Sequence, residues 1–242
     1  MYDKNIRWNF TEFGKNIQIV AISTVLSIAF PFLLIVSLVF FFIALENLRK
    51  VNYQLNDQYL HTFRKKYVTA FIAKIIGIII LAVGIALIVI PFFDYFYIWD
   101  LIYGIIPIII GLIALISGSV IEMRAWENLK EFFEMNRENF PELIIKDAIV
   151  GSSKLRSGAL CYALWFLGIT ILIGFILQAV GYFKLAKLSK WIEYPDQEKT
   201  IQAPPKVIQE PIMESTSNFC YSCGARTNGL GSFCAECGSV LD

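Results

Sequence analysis

The chain has 242 residues, of which 57% are hydrophobic and only 17% charged, with a mean hydropathy of +0.60. A soluble domain of this size holds about 45–50% apolar and about 25% charged residues, so a freely soluble globular protein is excluded and the apolar excess has to face lipid. The net charge of +1 leaves no overall field to recruit nucleic acid.

Lys4, Arg7 and Lys15 precede a run from Ile17 to Leu45 that contains no charge. A cleavable signal peptide has an apolar core of about 7–15 residues followed by a small-residue cleavage site. This run is much longer and is expected to stay in the chain as a span or signal-anchor. A helix needs about 20 apolar residues to cross a hydrocarbon layer of about 30 Å, and four stretches qualify: 17–45, 68–90, 101–121 and 159–183. Pro31 lies near the middle of the first, where its missing N–H predicts a kinked helix; Pro107 lies in the third. Gly77 and Gly84 in the second, Gly104, Gly111 and Gly118 in the third, and Gly168, Gly174 and Gly181 in the fourth allow helix backbones to approach closely. Small residues serve that purpose in membranes because lipid supplies no hydrophobic drive between helices. The expected fold is all-α and integral to the membrane, a bundle of four transmembrane helices. The same Gly-rich faces make a homo-oligomer conceivable.

The hexapeptide Ala44-Leu45-Glu46-Asn47-Leu48-Arg49 returns as Ala125-Trp126-Glu127-Asn128-Leu129-Lys130. Each copy stands where an apolar run ends and a charged segment begins, and so reads as an elbow between membrane and water. Farther on, Gly77-Ile78 matches Gly168-Ile169 and Ile80-Leu81 matches Ile171-Leu172. These matches predict two tandem helix-elbow-helix repeats in the same orientation, with Leu48 and Leu129 docking each elbow to the bilayer surface.

The first charged segment, 46–67, places Leu48, Val51, Leu55, Tyr59 and Phe63 at spacings of three or four, and the second, 122–157, does so with Trp126, Leu129, Phe132 and Phe133. Both read as amphipathic helices lying on the membrane or extending from the spans. Glu127, Glu131, Glu134 and Glu138 form a solvated acidic face. The aromatic turn Phe92–Trp99 suits the headgroup level. Lys184, Lys187 and Lys190, set among Leu185, Leu188 and Trp191, read as snorkelling lysines beside anionic headgroups. From Pro195 to Asn218 four prolines interrupt a polar stretch, which is expected to be a disordered, extended tether. The domain plan is therefore a four-helix membrane domain at 1–194, a linker at 195–218 and a small C-terminal module at 219–242.

That module carries four of the five cysteines, as Cys220-Tyr221-Ser222-Cys223-Gly224 and Cys234-Ala235-Glu236-Cys237-Gly238. Their clustering points to a metal site and not to a disulfide framework. Two residues between paired cysteines let both thiolates wrap one tetrahedral ion, and the glycine after each pair permits the tight turn. Four sulfurs make a closed structural Zn(2+) site with no position left for substrate. A segment this short cannot bury a core of its own, so metal binding is its folding energy. Cys220, Cys223, Cys234 and Cys237 are the expected ligands of one ion, with Phe219 and Phe233 covering it. The tail resembles the zinc-ribbon family with two Cys-x-x-Cys-Gly knuckles over Phe219–Leu241, with Tyr221 where many ribbons carry proline. Arg226 is its only basic residue, against Glu236 and Asp242, so no nucleic-acid contact is expected. The membrane part is similar to an uncharacterised archaeal family of four-helix membrane proteins, a domain of unknown function numbered 996. That resemblance rests on Leu155-Arg156-Ser157-Gly158-Ala159-Leu160 and on Gly181-Tyr182-Phe183, and it brings no activity with it.

His61 is the only histidine and offers no partner for nucleophilic chemistry. No phosphate loop, nucleophile elbow or His-Glu metalloprotease pattern occurs, so no enzyme and no catalytic or cofactor-binding residue is predicted. Within the spans, Lys74 is placed to snorkel, Glu122 stands at an edge, and Cys161 reads as a small packing residue.

Four spans would put both termini on one side and both charged segments on the other. The segments hold eleven Lys and Arg and the terminal side six near the spans, so the positive-inside rule favours the segments as cytoplasmic. A thiolate ribbon is expected in the reducing cytosol, and that argument is preferred: cell membrane, with both termini and the ribbon cytoplasmic. The expected function is to anchor a tethered zinc ribbon that serves as a protein-interaction or scaffold module, its partners being the bilayer and an unidentified protein. The alternative is a small transporter or channel-like bundle with a regulatory ribbon. A polar cavity within the bundle would favour transport, and a dry core anchoring.

Overall fold

A computed structural model describes residues 3–94, 98–165 and 168–193, together with 222, 223, 225, 236, 237 and 239 of the tail. The chain divides into two compact units, Met1–Pro195 and Asp196–Asp242. The first is all-helical, with no strand among the described residues: α1 (Lys4–Leu26), α2 (Leu33–Leu55), α3 (Gln58–Asp94), α4 (Ile98–Met135), α5 (Glu142–Ala163) and α6 (Ile169–Leu185). A 3-10 turn at Arg137–Asn139 precedes α5 and a 3-10 helix at Ala186–Glu193 follows α6. The helices pair in sequence order as three antiparallel hairpins, α1–α2, α3–α4 and α5–α6.

The expected first span is not one kinked helix. Residues 27–32 reverse the chain, and α2 returns along α1. Pro31 lacks an N–H, and the residue before a proline avoids helical geometry. The chain then turns back because small and hydroxyl side chains on the two helices meet. Thr24 Oγ1 and Ser37 Oγ lie 2.9 Å apart, and Ser27 Oγ donates to the Thr24 carbonyl at 2.6 Å. The expected fourth span is also two pieces, the end of α5 and all of α6. Gly168 stands between them with φ +64, a left-handed conformation glycine adopts without steric cost. Thr170 Oγ1 donates to the exposed Leu164 carbonyl at 2.7 Å.

Both charged segments are likewise divided. Asn56 ends α2 in the left-handed region, at φ 48, and Asp57 Oδ1 accepts from the Leu60 N–H at 3.0 Å, opening α3. These are the roles Asn and Asp fill at helix ends. Asn136–Pro141 breaks the second segment, and Pro141 caps α5. Pro107, by contrast, is carried inside a continuous α4. The aromatic turn expected at Phe92–Trp99 and the linker 195–218 have side chains outside the described residues.

Among the described residues, three helical stretches are long and apolar enough to cross a membrane, Gln58–Val89, Ile102–Met135 and Ile169–Ile192. The third is tethered by its partner: Arg156 of α5, paired with Glu127 at 3.1 Å, holds the α5–α6 turn within about 12 Å at about 1.5 Å per residue.

Packing differs between the two ends of the bundle. At the end that holds Lys4, the α2–α3 junction, the α4–α5 junction and the 3-10 helix, a dry aromatic core forms. Phe10 lies 5.9 Å from Phe132, 5.3 Å from Phe140 and 5.5 Å from Trp191 between ring centroids. Leu48, Val51, Leu60, Phe63, Trp126 and Leu129 belong to the same cluster. We call this end the base. Fully burying one such side chain from water is worth about 1.5–3 kcal/mol. Toward the far turn, α3 and α4 instead meet through glycines. A Cβ on Gly77 would lie 3.0 Å from the Gly111 carbonyl oxygen, and one on Gly84 2.9 Å from that of Gly104. The same device joins α5 to α6, where a Cβ on Gly151 would come 2.9 Å from the Gly181 carbonyl oxygen. The glycine faces open to a homo-oligomer in the sequence are thus occupied within one chain.

The repeated hexapeptide is not an elbow. Both copies lie inside continuous helices, α2 and α4. Ala44, Leu45 and Leu48, like Ala125, Trp126 and Leu129, are buried in the base core and do not dock on a bilayer surface. The wider repeat fails as well: Gly77 sits inside α3, whereas its counterpart Gly168 sits at a turn.

Candidate functional site

Lys74 and Glu122 form an ion pair between α3 and α4. Gly118 makes it feasible, since the Lys74 stem runs across the space a Cβ there would need. The Glu122 side chain is only 6% exposed. Its second oxygen accepts from Trp126 Nε1 at 3.2 Å. Trp126 in turn is walled by Phe63 at 5.3 Å, Tyr67 at 5.5 Å and Tyr182 at 6.1 Å. An isolated carboxylate would be far too costly at this depth; here a cation and an indole N–H compensate it.

The pair lines a cavity of about 310 Å³ with Leu38, Tyr67, Ala70, Phe71, Tyr162, Gln178 and Tyr182. Five helices contribute to it, α2 through α6. Tyr67 and Tyr182 both stand on its wall, each packed against Trp126. The Tyr162 hydroxyl, the Gln178 amide and the Lys74 ammonium are polar groups on its wall that a guest would meet. The opposite charges of Lys74 and Glu122 cancel locally, so the cavity selects strongly for neither an anion nor a cation. Lys74 was expected to snorkel alone and Glu122 to sit at an edge; the structure brings them together. The signal was present in the glycines, whose seven-residue spacing on both helices sets the antiparallel register and brings the two charges to one end.

The lysines after α6 also have a protein partner. Lys184 and Lys187 each donate to Asp147 at 2.6 Å, while Leu185, Leu188 and Trp191 face the base core and not lipid. The segment can lie this close because residue 14 of α1 is glycine, where any Cβ would strike the Ser189 backbone. Burial pulls the Asp147 carboxyl upward, but hydrogen bonds from the two lysines outweigh it and hold it below its ordinary range.

Of the four candidate metal ligands, Cys223 and Cys237 are exposed, and Cys220 and Cys234 lie outside the described residues. Ser222–Cys223 and Glu236–Cys237 both form turns, followed in each case by a half-buried residue, Ala225 or Ser239. Cys237 Sγ is 3.1 Å from Ser239 Oγ. Among the described residues no group of three or more His, Cys, Asp or Glu is arranged to hold a metal. His61 is exposed, and half-buried Cys161 packs against Gly174, where an added Cβ would lie 3.2 Å from its own.

The family described as "Protein of unknown function (DUF973)" matches residues 4–225, a range that takes in the whole bundle and the first cysteine pair. Its number is 973, not the 996 expected from sequence. No curated protein and no solved structure matches the chain.

Proposed function

Because the chain belongs to the DUF973 family of unknown function, its role has to come from its own geometry, and we propose that it is a membrane protein that anchors a tethered zinc ribbon at the cytoplasmic face. One observation carries this reading: the ends of α1, α2, α4 and α6 that bear the charges all lie at the base. Lys4, Arg7, the basic residues of both charged segments and Lys184–Lys190 therefore share one side, and among the described residues the far ends of α3 and α4 lie farthest from it. The positive-inside rule and the preference of thiolates for the cytosol, opposed under four full spans, then agree.

The tail fits a structural zinc ion by its donor set, four thiols in two Cys-x-x-Cys pairs, and by the matching turns at Cys223 and Cys237. When bound, the ion would supply the tail's folding energy. Cys220, Cys223, Cys234 and Cys237 would hold it, leaving the tail surface for a protein partner. An impermeant thiol reagent applied to intact cells should leave a cysteine engineered into the linker unlabelled; labelling would overturn the assignment. Deleting 218–242 should remove membrane-associated partners from a pull-down, and an unchanged partner set would reject the interaction role.

The cavity at Glu122 favours a second activity, binding of a polar headgroup or small polar solute. Continuous passage is less well supported within one chain, since α3 from 75 to 93 and α4 from 101 to 121 carry no charge and close on each other through glycine. Tyr162→Phe together with Gln178→Ala should reduce retention of a co-purifying polar amphiphile in native mass spectrometry. Solute flux in reconstituted vesicles that is lost in the same variant would instead establish transport.

A further inference from the structure

We propose that the protein bends the membrane that holds it, because it presents six helices to the leaflet at its base and narrows toward two at the far side. The inference rests on the reading of α3 and α4 as membrane spans. Phe41, Tyr67, Trp126 and Tyr182 mark one level, with centroids 4.4–6.2 Å apart. Above that level, at about 1.5 Å per residue, α2 rises about 12 Å to Leu33 and α6 about 20 Å to Ile169, whereas α3 continues about 40 Å to Asp94. The outer hairpins therefore turn back while the central one goes on.

Burial follows the same division. Beyond Lys74 in α3, and before Ser119 in α4, the described side-chain positions that are buried are glycines alone. Toward the base, α1, α2, α5 and α6 enclose the pair. The hairpin turns are built for lipid: Ile28 is 73%, Phe32 63% and Ile169 67% exposed. Backbone polar groups cannot be left unmatched in hydrocarbon, and several described ones in these turns are bonded locally. Ser27 N donates to Ser23 O, Ala29 N and Phe30 N to Leu26 O, and Leu33 N to Phe30 O. At the second turn Leu164 N donates to Leu160 O and Gly168 N to Trp165 O.

The outer surface of the far α3–α4 segment fits lipid chains better than a second copy. Membrane helices associate through small residues, and the glycines here already face each other. What remains outward is bulky: Ile75, Ile79, Val83, Ile105, Ile109 and Ile113 are exposed. Lipids of the far leaflet close around two helices of about 10 Å diameter while those of the near leaflet yield to six. The near leaflet gains area and becomes the convex one.

The test uses the full chain reconstituted into small and large vesicles of one neutral lipid, with flotation after an alkaline wash to establish insertion. Protein inserted with its base outward, read by impermeant labelling of a cysteine introduced at Asn56, should be several-fold denser per unit area on the small vesicles. Raising the protein-to-lipid ratio should narrow the vesicles or draw them into tubes in cryo-electron micrographs. Equal density with insertion intact overturns the bending proposal and leaves the membrane reading standing. Loss from the floated fraction overturns both. A photo-crosslinker at Ile79 or Ile109 that captured a second copy would show the far leaflet to be filled, and would also overturn the proposal.

Discussion

Lys74 and Glu122 show how packed apolar helices hold a charge at depth. Removing one partner of a buried ion pair strands the other, at a cost of about 3–5 kcal/mol. Lys74→Met should therefore lower the melting temperature in detergent sharply. Adding Glu122→Gln should restore most of the loss, because the amide oxygen still accepts from Trp126 and no charge is left. Asp147 gives a pH-dependent counterpart. Its folded carboxyl titrates below its unfolded range, so it contributes stability that is complete above the unfolded value and is lost as pH falls through the folded one. Asp147→Asn should flatten the acid limb of a stability-versus-pH curve and change little near neutrality beyond a constant offset. Each of these side chains was visible in the sequence. Their partners were not, because Lys74 and Glu122 are 48 residues apart and Asp147 and Lys184 37 apart, joined only by how the helices fold back.

The three hairpins are held by different chemistry. α1–α2 carries a Thr24–Ser37 contact, whereas α3–α4 and α5–α6 use glycines seven residues apart. A Cβ at Gly84 would fall 2.8 Å from the Ile108 backbone nitrogen, so Gly84→Leu has to force the backbones apart. Overpacking of this kind costs about 1–3 kcal/mol and occasionally more. Gly168→Ala meets open space but a left-handed φ, at about 1–2 kcal/mol. Thermal unfolding should rank Gly84→Leu as the more damaging, and a cysteine pair across α3 and α4 near the far turn should lose its cross-linking only in that variant. Glycine spacing was legible as a packing signal from sequence. Reversal at residues 27–32 was not, since proline in a long apolar run predicts a kink and a turn equally, and only the facing small residues of α1 and α2 decide between them.

At the scale of the molecule, the bundle and the cysteine tail should respond to different agents. A chelator should render 219–242 sensitive to protease while leaving the unfolding transition of 1–194 unmoved, because the base core and the glycine contacts require no metal. A chelator effect on the bundle transition, or a tail equally resistant with and without chelator, would contradict a zinc-dependent module. The gathering of charges at the base follows from hairpins that return to it.

Composition alone set this chain apart from ordinary soluble domains, because 57% hydrophobic and 17% charged residues depart from the usual balance. Local spacing determined the helical segments, the close-packing glycines and the paired cysteines, since each depends on neighbours a few residues away. The tertiary structure decided which apolar runs fold back on themselves and where the charges meet. A run of apolar residues satisfies a span and a returning hairpin equally well, and the choice rests on contacts between distant helices, such as Phe10 against Trp191 and Thr24 against Ser37.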